Sequence, residues 1–307
     1  MNSSKMKAST TGTESTMQQR QDSAAAVTMT EQHCPTVESW VNYLGEMDEL
    51  PVFYSENVQN NNLNLEKHTV TIRDARPLQG RLSLEQDGFI LAEHTSAVTD
   101  FRDPDEVQRV YQAEIRELIA GITGATLVVA TGTVLRWGER AAESGSASVN
   151  SRPARFVHVD YSRDSFNDFA RMHLDTAGVS EPEAWLKKRY VAYNVWRVLT
   201  PPPQDVPLGL CTAPSTAPED VVTGEARIDA PGVPEWRFGA SLYRYNPGHR
   251  WFYFPAMHPG EALVFKAFDS ETERLQGCPH SAFDDPGCPP DAVPRASAEI
   301  RAYAWFD

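Results

Sequence analysis

The tripeptide His158-Val159-Asp160 is the feature of this chain that points most directly to chemistry. It lies in a stretch, 155–161, whose β-branched and aromatic residues predict a strand, and residues two apart in a strand project from the same face. His158 and Asp160 would therefore reach one metal ion together, and His280, far along the chain, would supply a third ligand. Two histidines and one carboxylate leave coordination positions open and suit the ferrous iron of non-haem oxygenases. The tripeptide alone leaves a second interpretation open, in which His158 simply pairs with Asp160.

The second half of the chain contains seven short blocks whose order and spacing are more specific than any block alone. They are VHVDYS at 157–162, YNVWR at 193–197, PL at 207–208, HRWFYFP at 249–255, EALVFKAFDS at 261–270, PHSAFDDP at 279–286 and PRASAEIR at 294–301. Through these blocks the chain resembles a family of fungal and bacterial oxygenases of secondary metabolism. Members are often labelled hydroxylase/desaturase, and the cephalosporin 7-alpha-methoxylation subunit is a named relative. The resemblance is good over the C-terminal half and looser from about Pro51 onward.

The resemblance implies a mainly β fold with flanking helices, the double-stranded β-helix or jelly roll, in an enzyme that uses Fe(II) with 2-oxoglutarate as co-substrate. It places the iron ligands at His158, Asp160 and His280. It also implies hydroxylation, desaturation or oxidative cyclisation of a small secondary metabolite. Two other classes stay open: an auxiliary, non-catalytic jelly-roll subunit of a biosynthetic oxygenase, and a metal-dependent hydrolase or isomerase that turns over without O2.

By the same resemblance, Arg295 and Ser297 look like the Arg-x-Ser that holds the distal carboxylate of 2-oxoglutarate in related enzymes. Arg295 lies further past His280 than is usual, however, and Arg301 is a rival for the role. Parity does not separate the two arginines, because both lie on one face of a predicted strand together with Ser297 and Glu299. Glu299 could pair with whichever arginine does not bind the co-substrate.

Four further side chains are candidates for the neighbourhood of the metal. The resemblance makes Asn194 a candidate for cofactor binding and Arg197 a candidate for substrate binding. Trp251 and Tyr253 share a strand face and could line a pocket for an organic substrate. Structural roles stay open as well, since buried polar groups usually satisfy hydrogen bonds and aromatic rings are common in β cores.

Composition favours a soluble enzyme and argues against several other classes. The chain has 307 residues, of which 41% are hydrophobic, and this is enough for a sizeable core. No run of about 18 apolar residues occurs, which argues against a membrane span. The formal net charge of -14 disfavours nucleic-acid partners, because an acidic surface repels phosphate. We expect a cytoplasmic protein that acts on a small molecule and O2, with a homodimer or a partner oxygenase subunit as possible assemblies.

The four cysteines, Cys34, Cys211, Cys278 and Cys288, fit reduced thiols in a cytosolic protein. Two of them flank His280, but the chain has no Cys-x-x-Cys pair, so the spacing argues against structural zinc. A disulfide between Cys278 and Cys288, closing the loop around His280, stays open.

The chain should form one structured domain. Residues 1–33 are rich in Ser, Thr, Gln, Ala and Met, so we expect a disordered N-terminal tail. A single jelly-roll oxygenase domain should follow over 34–307, with a helical insert at about 164–189. A Ser- and Gly-rich segment, 143–151, precedes the proposed metal strand and is either a lid over the substrate or a connector.

Local patterns predict several elements of this domain. Residues 37–44 suggest a short helix, and 68–72 alternate as a strand. A strand pair is expected within 80–91, and a further strand over 125–134. Between them a helix should begin at the capping residue Asp103, which precedes a proline and two acidic residues.

Overall fold

The computed structural model describes residues 31, 33–130, 132–137, 152–229, 232 and 234–307. The chain divides into two units, Met1–Pro35 and Thr36–Asp307, and all the elements named below lie in the second. The tail predicted over 1–33 falls almost entirely outside the described residues, and the predicted lid or connector, 143–151, falls outside them completely.

The larger of two β-sheets carries the proposed metal ligands. Its strands are β1 (Thr36–Leu44), β2 (Val52–Tyr54), β3 (Leu65–Asp74), β7 (His158–Val159), β9 (Leu208–Cys211), β10 (Val221–Ile228), β11 (Trp236–Tyr243), β12 (Trp251–Tyr253) and β14 (His280–Ala282). Within the described part of the chain, their order across the sheet is β1-β3-β12-β9-β14-β7-β11-β10-β2. The strands β14 and β7 are therefore neighbours, although more than a hundred residues separate them in the chain.

The smaller sheet supplies polar side chains to the same region. Its strands are β4 (Phe89–Glu93), β5 (Leu127–Ala130), β6 (Val134–Trp137), β8 (Tyr190–Val198), β13 (Glu261–Asp269) and β15 (Ala296–Trp305). In the described residues the order is β4-β13-β8-β15-β5, and β6 also pairs with β15. β8 and β15 are antiparallel and pair along almost their whole length.

The helices flank these sheets. They are α1 (Pro104–Glu106), α2 (Gln112–Thr123), α3 (Arg163–Thr176) and α4 (Pro182–Trp185), with a π-helical segment, Val107–Tyr111, between α1 and α2. Short 3-10 turns occur at Val58–Asn60, Arg76–Leu78, Ala213–Ser215 and Pro218–Asp220. No helix among the described residues is long and apolar enough to cross a membrane.

The helix that leads into α2 has the predicted cap at Asp103. The Asp103 carboxylate accepts hydrogen bonds from the backbone N–H groups of Asp105 and Glu106, which satisfies donors that a helix start would otherwise leave open. Gly124 ends α2 at a φ of 72°, a left-handed conformation that glycine adopts without the strain of a Cβ.

Helix α2 and the segment before it cover one face of the smaller sheet. Apolar side chains of α2 and of the segment before it pack on one face of β8 and β15 in a single core cluster that includes Ile115, Val195 and Ile300. Side chains alternate across a strand, so the neighbouring residues Asn194 and Arg301 project from the opposite face. That second face is the one that contributes to the site described below.

The prediction of a mainly β fold with flanking helices is confirmed, but some local predictions are wrong. Residues 37–44 form strand β1 instead of a helix, because alternate side chains are buried and the segment pairs with β3 over its full length. The expected strand pair in 80–91 is a single strand, β4, preceded by a turn at Gly88 with a φ of 93°. The strand expected over 125–134 is two separate strands, β5 and β6.

Candidate metal centre

Strand pairing brings the two candidate histidine ligands side by side. His280 at the start of β14 lies directly opposite His158 at the start of β7, so both side chains project from the same face of the sheet. Their ring centroids are 4.4 Å apart. Asp160 follows β7 directly, and one ligand atom from each of the three residues lies within 4.8 Å of the other two. Among the described residues, this is the cluster of His, Cys, Asp and Glu side chains with metal-ligand spacing.

Backbone carbonyls fix the orientation of both imidazole rings. The Nδ1 of His158 lies 2.9 Å from the carbonyl oxygen of Phe156, and the Nδ1 of His280 lies 3.2 Å from that of Cys278. A protonated Nδ1 that donates to a carbonyl leaves Nε2 as the unprotonated nitrogen that can bind a metal.

Burial keeps these rings neutral. Burial, and then the neighbouring His280, lower the pKa of His158 to about 4. Burial also lowers the pKa of His280 below its usual value. Both histidines are therefore in the protonation state that metal binding requires at neutral pH.

Two donors hold the carboxylate of Asp160 by the same oxygen. Its Oδ2 accepts hydrogen bonds from Asn194 Nδ2 at 2.6 Å and from Arg301 Nε at 3.0 Å. Asn194 and Arg301 lie opposite each other in the β8–β15 pair, which places both on the face that meets Asp160. Although burial acts to raise the pKa of Asp160, Arg301 and the histidines lower it below its usual value. The carboxylate is therefore ionised, and its Oδ1, 3.7 Å from His158 Nε2, is the oxygen available to a metal.

Buried donors without partners lie at and just before the start of β15, and one of them, Arg295, lines the same cavity as the two histidines. Arg295 and Ser297 are each 1% exposed, and the Nε of Arg295 and the Oγ of Ser297 have no hydrogen-bond partner. The Arg295 guanidinium lies over the Trp196 ring, 5.4 Å from its centroid, and donates to the carbonyl oxygen of Val206 at 2.5 Å. Burial, and then the charge of Arg136, lower the pKa of Arg295 to about 9. An anion placed here would satisfy the open donors and stabilise the buried cation.

Arg301, the rival anchor, is already paired with protein carboxylates. Besides its bond to Asp160, its Nη2 donates to Glu299 Oε1 at 2.8 Å. Glu299 also accepts two hydrogen bonds from Arg136, each 3.0 Å long. Glu299 thus pairs with Arg301 and Arg136, and the geometry favours Arg295, with its open Nε, as the arginine that would contact an anion.

One cavity joins the histidines to this anion site. It is lined by Arg136, Ala154, His158, Trp196, Leu208, His280, Ala282, Arg295 and Glu299. Sequence reasoning missed Arg136, which reaches the cavity because β6 places it opposite Ser297 on β15. Its neighbours in the sequence contain no signal for that pairing.

The structure does not bring Arg197 to the centre. Arg197 is one residue past Trp196 and projects from the opposite face of β8, where it is 1% exposed. Its Nε donates to the Tyr111 hydroxyl at 3.1 Å, and its Nη1 to the carbonyl oxygen of His94 at 3.3 Å. These contacts tie the sheet to the helix leading into α2.

Trp251 and Tyr253 lie in the packed core and do not line the cavity. The Nε1 of Trp251 donates to the Tyr43 hydroxyl at 2.9 Å, and the Tyr253 ring packs edge-on against Phe283 with centroids 5.3 Å apart. None of the four cysteines forms a disulfide, so the bond left open between Cys278 and Cys288 is absent.

The chain is similar to a described family and to several known proteins. A family model described as oxidoreductase/YMDC permease-like domain matches residues 41–305. The alpha-ketoglutarate-dependent dioxygenase phiK of a fungal species (strain ATCC 74256) is 28% identical over 88% of this chain and 96% of its own length. The hydroxylase/desaturase asaB of Aspergillus flavus is 30% identical over 62% of this chain and 88% of its own.

A solved structure shares the fold. The iron and alpha-ketoglutarate-dependent endoperoxidase NvfI superposes with a TM-score of 0.74 at 23% identity, over 88% of this chain and 98% of that one. The predicted jelly roll is thereby confirmed.

Proposed function

The chain belongs to the oxidoreductase/YMDC permease-like domain family, and we propose that it oxidises a C–H bond of a small secondary metabolite with iron bound by His158, Asp160 and His280. It is an Fe(II)/2-oxoglutarate-dependent dioxygenase, as its curated relatives are. The observation that carries the proposal is a cluster of three ligand atoms within 4.8 Å of one another, two of whose residues, His158 and His280, line one cavity with a buried arginine that has an open donor.

The residues present fit both the metal and the co-substrate. Two neutral imidazoles and one ionised carboxylate form a face that suits ferrous iron and leaves positions open. When bound, Fe(II) with 2-oxoglutarate and O2 supplies an oxidant that removes hydrogen from the substrate, while the co-substrate loses CO2 and becomes succinate.

The chain's own residues fix the geometry for that chemistry. The carbonyl oxygens of Phe156 and Cys278 orient the two histidines. Asn194 and Arg301 hold Oδ2 of Asp160, so that this carboxylate offers a metal one oxygen only. Groups that hydrogen-bond to metal ligands in this way fix the orientation of the ligands and raise metal affinity.

Arg295 and Ser297 bind the far carboxylate of 2-oxoglutarate in our proposal. An arginine suits a carboxylate because its planar fork donates charge-assisted hydrogen bonds. The open Nε of Arg295 and Oγ of Ser297 support this role, and so does the pairing of Arg301 with Asp160 and Glu299.

The substrate side of the proposal is less specific. Asp160 as a carboxylate ligand disfavours halogenation and leaves hydroxylation, desaturation and oxidative cyclisation. A small-molecule substrate and O2 fit a dioxygenase, and we propose a cytoplasmic location, which the lack of any disulfide among the four cysteines supports. A tagged full-length chain that is found in a secretory compartment would contradict the location.

The test is an anaerobic titration of the full chain with Fe(II) and 2-oxoglutarate, followed by visible absorption. We expect the weak charge-transfer band of a chelated 2-oxo acid, lost in Asp160→Ala and in His280→Ala. His258→Ala is the matched control, because His258 is 52% exposed in its side chain and lies outside the cavity. A well-folded wild type without the band would refute the proposal and favour the hydrolase, isomerase or auxiliary alternatives.

A further inference from the structure

Four side chains of alternating charge connect the cavity wall to the metal ligand Asp160. Arg136 donates from Nε and Nη2 to Glu299, with both bonds 3.0 Å long. Arg301 donates from Nη2 to Glu299 at 2.8 Å and from Nε to Asp160 at 3.0 Å. Their side chains are between 9% and 19% exposed, so solvent screens these charges only in part.

Glu299 occupies the centre of this chain and also faces the cavity. Its neighbours in the cavity wall include Arg136, Arg295, His158 and His280. The β8–β15 pair places Glu299 opposite Trp196, so its position is set by the sheet. The carboxylate is therefore close to both the proposed metal ligands and the proposed carboxylate anchor.

The cavity has to accept a divalent cation and a dianion, and Glu299 acts on the two with opposite sign. The three arginines at this site carry three positive charges, and Asp160 and Glu299 offset two of them. Without Glu299 a second positive charge would be unbalanced, and this would repel the metal and attract 2-oxoglutarate. Arg301 would also be free to turn both of its donors to Asp160 and compete with the metal for that carboxylate.

We propose that Glu299 is a positioning residue that sets the balance between metal and co-substrate affinity, by neutralising Arg136 and limiting Arg301 to one hydrogen bond with Asp160. This inference rests on the proposed function. It goes beyond it by assigning to Glu299 a role that is separate from ligating the metal or binding 2-oxoglutarate.

The test measures two dissociation constants in Glu299→Gln, which keeps the shape of the side chain and removes its charge. Mn(II) alone, a redox-stable substitute for Fe(II), is titrated first, and 2-oxoglutarate is then titrated into the Mn(II)-saturated protein by calorimetry. We expect the Kd for Mn(II) to rise about tenfold and the Kd for 2-oxoglutarate to fall several-fold, as the Coulomb interaction of one charge with a cation and with an anion requires.

Neutralising Arg136, the oppositely charged partner of Glu299, should shift both dissociation constants in the opposite directions. Arg136→Gln removes a positive charge from the same ion pair, so the Kd for Mn(II) should fall and the Kd for 2-oxoglutarate should rise. The matched control is Glu225→Gln on β10. Glu225 also lies between two arginines, Arg227 and Arg237, but does not line the cavity, so both constants should stay unchanged.

The directions in which the Kd for Mn(II) and the Kd for 2-oxoglutarate shift distinguish the possible outcomes. Opposite shifts in Glu299→Gln, reversed in Arg136→Gln, support the inference. Weaker binding of both ligands, or no change in either, would show a structural role and overturn it. If Glu299→Gln does not fold, as judged by circular dichroism, Arg136→Gln decides by the same criterion. A folded wild type that binds no Mn(II) would overturn the proposed function and this inference with it.

Discussion

At the scale of single residues, the choice of the carboxylate anchor depends on which arginine donors already have partners in the protein. Two arginines lie on the same face of β15 or just before it, and parity in the sequence could not choose between them. The structure distinguishes them by their partners: Arg301 is paired with two carboxylates, whereas Arg295 keeps an open Nε in a buried setting. Because a buried, unsatisfied donor is unfavourable, Arg295 is the arginine that gains most from an anion.

Arg295→Lys should therefore weaken 2-oxoglutarate binding without changing metal binding. An ammonium group cannot donate as a planar fork, and we expect the Kd for 2-oxoglutarate to rise about 10- to 100-fold, in line with about 1.5–3 kcal/mol for a hydrogen bond to a charged group. Calorimetry on Mn(II)-saturated protein measures this. Arg197→Lys is the control, since Arg197 is equally buried but lies on the other face of β8. A loss of affinity in Arg301→Lys and not in Arg295→Lys would move the anchor to Arg301.

The residues of the site were more predictable than their surroundings. His158 and Asp160 lie two positions apart in an extended segment, so the sequence alone could place them together. The neighbourhood of His158 and His280 depends on the pairing of β7 with β14, which only the resemblance anticipated. Trp251 and Tyr253 show the limit of parity, because alternation tells which residues share a face but not whether that face meets the cavity or the core.

At the scale of elements, close backbone approach determines where the β14 histidine lies. Strand β13 has a register shift between Lys266 and Phe268, and Cys278 N–H donates to the Lys266 carbonyl oxygen at 2.8 Å. Gly277 sits against this irregular stretch, where a Cβ would lie 2.1 Å from the carbonyl oxygen of Ala267. A glycine here lets the chain pass close to β13 and so brings His280 into line with His158.

Gly277→Ala should therefore lower the stability of the fold and weaken metal binding at the proposed centre. The added methyl group meets a backbone atom that cannot turn away, so we expect a loss of about 1–3 kcal/mol in the free energy of unfolding and a higher Kd for Mn(II). Urea unfolding and metal titration measure the two effects. Gly121→Ala is the control. Apart from the backbone of its own helix, no atom lies within 4 Å of the Cβ position at Gly121. Alanine in a helix should raise the free energy of unfolding by about 0.5–1 kcal/mol. Unchanged stability in Gly277→Ala would contradict the close approach.

Element-scale predictions from the sequence failed where tertiary pairing overrides local preference. Residues 37–44 resembled a short helix, but each of these eight residues pairs with β3, and the sheet then dictates their conformation. The cap at Asp103 was predictable, because capping acts within one helical turn.

At the scale of the whole molecule, global charge and local charge act against each other. The chain carries a formal net charge of -14, which repels a dianion such as 2-oxoglutarate at long range. Salt screens that repulsion at separations beyond roughly 10 Å, whereas the cavity arginines act at contact distance. Recognition of the co-substrate therefore depends on Arg295 and its surroundings, and not on the overall field.

The pH dependence of folding is a further property of the whole molecule, to which His173 on α3 contributes measurably. Burial lowers its pKa from 6.5 to about 4, between the rings of Phe169 and Tyr303. Between pH 6.5 and 4 the unfolded chain binds a proton that the folded chain does not, so this contribution to stability is complete above pH 6.5 and is lost as the pH falls. His173→Phe should therefore reduce the loss of unfolding free energy between pH 7 and 4.5 by about 2 kcal/mol, allowing for partial exposure. Urea unfolding at the two pH values measures it. An equal loss in His173→Phe and wild type would show that this ring does not titrate differently on folding.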